Sequence, residues 1–171
     1  MLDWDNGVQV VDQHVLDVLT ERARASPRLR QHQNLHGSYQ DPCQRLLNAV
    51  EPGSYLQPKR DVSVPRGKLL VALRGCFALL QFDNNGSISG VTEFAAGGAA
   101  GVAVEVVPTC WNTVVSMKTG SVLLEVRPGP FDPNHLGDFA PWAPEPGDAG
   151  AAEYLRRLQA IAEDAFRRGK S

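Results

Sequence analysis

The strongest constraint on this chain is a succession of short apolar and β-branched runs, each closed by a turn signal, that fills residues 55–127. The runs at 69–73, 76–82, 87–94, 102–107, 113–117 and 121–126 are separated by Arg74-Gly75, Asp83-Asn84-Asn85-Gly86, Gly97-Gly98 and Thr119-Gly120. Runs of this kind are strands, and many short strands in series fold as a sandwich or barrel. Residues 77–80 are apolar at every position. That predicts a strand covered on both faces, either by closure of a barrel or by a partner chain.

Helical patterns flank this β region. Asp12 is placed to cap a helix whose apolar face is Val15, Leu16, Leu19 and Ala23, and which ends before Pro27. Its polar side carries His14, Asp17, Glu21 and Arg24. Asp41-Pro42 reads as a cap and first-turn proline opening a short second helix, with Cys43, Leu46, Leu47 and Val50 on one face. Residues 151–168 form an amphipathic helix with Tyr154, Leu155, Leu158, Ile161, Ala162, Ala165 and Phe166 inward. Residues 129–150 hold too many prolines for a helix, but Phe131, Phe139 and Trp142 give that stretch apolar anchors, as in an ordered strap.

A chain of 171 residues is the size of one domain. We expect a helix over 1–27, a barrel and strap over 28–148, and a helix over 149–171. The 17 basic residues are balanced by 19 acidic ones and form no stripe, which argues against a nucleic-acid partner. No apolar run is long enough to span a bilayer and no secretory leader is visible, so the expectation is a cytoplasmic protein with no membrane partner. Cys43, Cys76 and Cys110 lack the spacing of a zinc site or a disulfide framework and read as reduced packing groups.

Several segments together resemble a known family. Gln33-Asn34-Leu35-His36, then Asp41-Pro42-Cys43-Gln44-Arg45-Leu46-Leu47-Asn48, then Gly53-Ser54-Tyr55 and Leu73-Arg74-Gly75, are similar to the WbuC family of cupin-fold proteins. So is the tail, from Glu125-Val126-Arg127-Pro128-Gly129-Pro130-Phe131 to Ala140-Pro141-Trp142-Ala143-Pro144. The resemblance implies an all-β, RmlC-like cupin barrel or jelly roll with short N-terminal helices and a C-terminal helix. It also implies a homodimer, a metalloprotein type of site, and an association with polysaccharide or O-antigen biosynthesis.

In that family the first motif runs Gly-x5-His-x-His with a Glu ahead of a later Gly, and the second places a His after Trp. Counted on this chain, those four positions hold Lys59, Asp61, Lys68 and Asn112. An ammonium group has three donors and no lone pair, so the usual metal site is expected to be degenerate. No cofactor is expected at those positions. Fe, Zn, Mn or Ni would need a relocated site, for which His32 and His36, alternating with Asn34, are the candidates.

Three roles follow for these residues. Lys59, Asp61, Lys68 and Asn112, with Asn34, His36, Gln44, Arg45 and Glu125, would line a cavity for a small polar or anionic ligand. Alternatively Lys59, Asp61 and Lys68 would be catalytic in a metal-free isomerase, epimerase or lyase, through a lysine of lowered pKa. The plain alternative is an ion pair of Asp61 with Lys59 or Lys68, and an internal Arg45–Glu125 pair. His14 and His135 read as solvated.

Overall fold

The computed structural model describes residues 6–62, 67–97, 101–134 and 136–169. His135, part of the Gly97-Gly98 turn and the first five residues therefore lie outside the described residues. Ten strands form two antiparallel five-stranded sheets: β1 (Arg30–Asn34), β2 (Cys43–Val50), β3 (Lys59–Arg60), β4 (Lys68–Arg74), β5 (Cys76–Phe82), β6 (Ile88–Ala95), β7 (Ala103–Val106), β8 (Trp111–Ser116), β9 (Ser121–Pro128) and β10 (Asp138–Phe139). The sheet orders are β1-β2-β9-β4-β7 and β10-β3-β8-β5-β6. Successive strands β2 to β9 thus divide between facing sheets, which is the double-sheet jelly roll, the architecture of cupins.

Each sheet has an apolar inner face, and each carries a helix on its outer face. Between the sheets, Val50, Leu70, Ala72, Phe77, Leu79, Phe94, Val106 and Leu123 form a plug, with the Phe77 and Phe94 rings stacked at 5.3 Å. Helix α1 (Gln13–Ala25) starts where Asp12 Oδ1 accepts a hydrogen bond from the Val15 amide at 2.9 Å. Its buried Leu16, Leu19 and Ala23 pack on Leu47, Ala49 and Val122. Helix α2 (Ala151–Arg168) packs Leu155, Leu158 and Ala162 on Ala78, Leu80 and Val115 of the other sheet. The apolar run at 77–80 is therefore covered by the plug on one face and α2 on the other. It no longer speaks for a partner chain.

One expected element is different. Residues 43–50 are strand β2, not a helix, so among the described residues one N-terminal helix is present rather than two. The apolar positions Leu46, Leu47 and Val50 satisfied a helical period, but Leu47 and Ala49 face α1 while Leu46 and Val50 face the barrel interior. Both faces of this strand are covered, which removes the clean alternation that marks a half-exposed one. Cys43 is exposed, not a core residue of a helix.

The strap is ordered by backbone pairing more than by its aromatic rings. Strand β10 pairs with β3, and the Ala140 amide donates to Pro58 O at 2.9 Å. The Tyr55 hydroxyl donates to Pro144 O at 2.7 Å, and Gln57 Nε2 donates to Ala140 O at 3.3 Å. Trp142 packs on Phe82 at 4.9 Å, whereas Phe139 is 47% exposed and is no anchor. At the β4–β5 turn Gly75 has φ +76, and a Cβ there would overlap the Ser121 side chain, which fixes glycine at that corner.

Candidate functional site

Beside the plug a cavity of about 530 Å³ lies between the sheets and opens to solvent. Strand register aligns its wall. Asn34 is opposite Leu46, Leu46 opposite Glu125, and Glu125 opposite Leu70, so all four side chains stand on one inner row. One step along, Gln44 is opposite Arg127. Lys68, at the start of β4, falls beside Arg127 in the same row, because its neighbour Leu69 pairs with Val126. From the other sheet Lys59 pairs with Asn112 and both line the cavity.

The charges are concentrated. Lys59 Nζ lies 3.3 Å from Asp61 Oδ1, and Lys68 Nζ lies 3.9 Å from Asp61 Oδ2. Lys59 also donates to Leu136 O at 2.9 Å. Glu125 Oε2 accepts from Asn48 Nδ2 at 3.1 Å, and its Oε1 is 3.7 Å from Arg127 Nη1. Only 12% of the Lys68 side chain is exposed. Burial pushes its ammonium down from the ordinary lysine range; Glu125 and Asp61 oppose that shift, while Lys59 and Arg127 add to it.

The expected site residues separate into three groups. Lys59, Lys68, Asn112, Asn34, His36, Gln44 and Glu125 line the cavity together. Asp61 stands behind the two lysines, outside the cavity wall, held under the Leu136-Gly137 segment. Arg45 is also outside. It pairs with Val126 and so projects from the opposite face to Glu125, which rules out the anticipated Arg45–Glu125 pair. Gln44 is committed to the fold, donating to the carbonyls of Ser38, Tyr39 and Asp41.

His36 is buried, and its Nδ1 is held against the Arg45 backbone, 3.0 Å from the amide nitrogen and 2.8 Å from the carbonyl oxygen. Its Nε2 is buried without a partner. His32 also lines the cavity but is exposed, while His14 is on the exposed side of α1. Among the described residues no three His, Cys, Asp or Glu side chains converge to hold a metal ion. The groups at the four motif positions do not fit one either: two ammonium groups repel a cation, the Asp61 carboxylate is held between them, and a single amide oxygen of Asn112 is too little to hold a transition metal.

Arg28, Arg30, Tyr39, Phe131 and Arg127 also belong to the wall, and no motif in the sequence marks them as such. The Glu125 and Arg127 positions differ by two, and period-2 alternation places both on one face of a strand. Arg30 was hidden because β1 reads Arg-Gln-His-Gln-Asn, with no apolar alternation. Its Nη1 donates to Tyr55 O at 2.8 Å and Ser54 Oγ at 3.2 Å.

A family described as a domain of unknown function, DUF6016, matches residues 11–94, just under half of the chain. That span includes Lys59, Asp61 and Lys68 but not Asn112, Glu125 or Arg127. No curated protein matches the chain. Among solved structures, a Shewanella oneidensis protein is similar with a TM-score of 0.51 at 12% identity, covering 77% of this chain and 83% of its own. At that identity the likeness is one of fold. A cupin 2 conserved barrel domain protein from Rhodopseudomonas palustris is similar at 18% identity over 78% of this chain and 77% of its own, TM-score 0.46. An RmlC-like cupin protein from Desulfovibrio desulfuricans is similar at 13% identity over 58% of this chain and 81% of its own, TM-score 0.44.

Proposed function

We propose that this chain is a WbuC-like cupin whose former metal site has become a cationic pocket, and that it binds a small organic anion without a metal. The observation that carries this reading is Lys68: a nearly buried ammonium on a cavity wall, flanked by Lys59 and Arg127. Burying a charge is unfavourable unless something offsets it; Glu125 acts on Lys68 but is engaged by Asn48 and Arg127, and Asp61 at 3.9 Å is a loose partner shared with Lys59. An anion in the cavity would supply the missing interaction. The unpartnered Nε2 of His36 on the same wall is a second polar group suited to a bound ligand.

The reading is tested by thermal shift across matched pairs of organic acids and their neutral amides or alcohols. Acids are expected to raise Tm, their neutral counterparts are not, and Lys68→Met is expected to abolish the difference. Equal shifts from acid and neutral partner, or no shift from any acid, would overturn it.

A second reading is catalytic, and the lowered Lys68 pKa favours it, because an amine less firmly protonated is a better nucleophile or base. Lys59 and Asp61 would then assist in a metal-free isomerase or lyase. Incubation with a keto acid and borohydride is expected, on this reading, to leave a reduced adduct on Lys68 detectable by mass spectrometry. Absence of an adduct with a ligand that binds would leave the chain a binding protein.

A further inference from the structure

Two features of the pocket narrow the ligand further, on the premise that it binds an anion at all. The first is charge. Lys59, Lys68 and Arg127 are three cations, and Asp61 and Glu125 are two carboxylates joined to them at 3.3, 3.9 and 3.7 Å. Arg28 and Arg30 also line the cavity but enter at the opposite end of β1, where Arg30 pairs with Val50, so one net positive charge remains at the Lys68 end. A monoanion neutralises it, whereas a phosphate dianion would leave an excess negative charge among side chains that are only 12–25% exposed.

The second feature is how the remaining wall is spent. Asn34 and the unpartnered Nε2 of His36 also stand on the wall, whereas Asn48, Asn112 and Thr113 are committed internally, to Glu125, to two carbonyls and to Leu56 O respectively. Those three are poorly placed to recognise a string of hydroxyls. Leu46, Leu70, Leu123, Val50, Leu56 and Val114 supply an apolar surface continuous with the plug. Leu70 lies two residues from Lys68 along β4, and Leu123 two residues from Glu125 along β9, so apolar wall begins immediately beside the charges.

We infer that the ligand is a monocarboxylic acid with an apolar aryl or branched-alkyl body, its carboxylate on Lys68 and its body against Leu46, Leu70 and Leu123. A cavity of about 530 Å³ is within the usual range for small-molecule sites. Each methylene buried against that wall is expected to tighten binding about three- to fourfold.

Calorimetric titration of the full chain with acetate, phenylacetate and 4-phenylbutyrate, alongside gluconate and glucose 6-phosphate, tests this. Affinity is expected to rise along the carboxylate series, with 4-phenylbutyrate at least about tenfold tighter than gluconate. Leu46→Asn is expected to flatten the rise, and its Tm reports whether it folds. Tighter binding of gluconate or glucose 6-phosphate than of 4-phenylbutyrate would overturn the apolar monocarboxylate and leave the anion reading standing. No binding by any of the five, or equal binding of 4-phenylbutanol, would overturn both.

Discussion

Lys68 and Asp61 face each other at 3.9 Å, and the other oxygen of the same carboxylate is 3.3 Å from Lys59. One acid is thus shared between two ammonium groups and satisfies neither fully. The ion pair anticipated as the plain alternative is present, yet both lysines still line the cavity. Asp61 sets the net charge of the pocket without being part of its wall. Asp61→Asn should therefore raise the net charge by one and shift preference toward dianions, with inorganic phosphate gaining about five- to tenfold relative to 4-phenylbutyrate in competition titrations. An unchanged ratio would show that Asp61 does not tune the site.

Lys68→Met should keep or raise stability at neutral pH while removing anion binding, because a buried ammonium is exchanged for an apolar side chain of similar length. The pH dependence carries a sign. The folded-state pKa is depressed below the ordinary 10.5, so between those two values the unfolded chain binds more protons, and stability rises with pH. Melting curves of wild type and variant in the alkaline range below pH 10.5 should show that rise in the wild type only. A strongly destabilised variant would mark Lys68 as a structural group.

Tyr55 ties the strap to the barrel through its 2.7 Å bond to Pro144 O and its edge-to-face contact with Tyr154 at 6.0 Å. Tyr55→Phe keeps the ring and deletes the donor, which should destabilise by about 1 kcal/mol, or about 2–4 °C in Tm. Burial raises the Tyr55 pKa above its usual 10, so the phenol stays protonated in the folded chain, and this stability should fall as pH rises past 10. A variant with wild-type Tm would remove the strap contact from the account.

Glu51 is buried and accepts hydrogen bonds from the Thr119 hydroxyl, the Gly120 amide at 3.0 Å and Arg24 Nε at 3.2 Å. It fastens α1 to the β8–β9 turn. Glu51→Ala leaves the Gly120 amide buried without its acceptor and should cost about 2 kcal/mol, read by denaturant titration, with ligand affinity unchanged. Wild-type stability would mean that water replaces the carboxylate without penalty.

The outer parts of this fold were legible because each has one exposed face. Helices α1 and α2 matched their apolar stripes and α1 its Asp12 cap, whereas β5, covered on both faces, was marked by its unbroken apolar run. Strand β2 was misread because Leu46 faces the barrel while Leu47 faces α1. Gln44 and Asn48 were still correctly put on one face, since residues four apart align in a helix and in a strand alike. At the site, motif spacing found Lys59, Lys68 and Asn112. It did not find Arg28 or Tyr39, which reach the wall from the segments flanking β1, where no periodic pattern marks them.

On the proposed reading the cavity binds an organic anion through Lys68 and needs no metal. Calorimetric titration of 4-phenylbutyrate into chelator-treated protein, repeated after restoring zinc or iron, tests it most directly. One site per chain is expected, with the same affinity under both conditions. Binding that disappears with the chelator and returns with the metal would contradict it, and would direct attention to His32 and His36 as ligands.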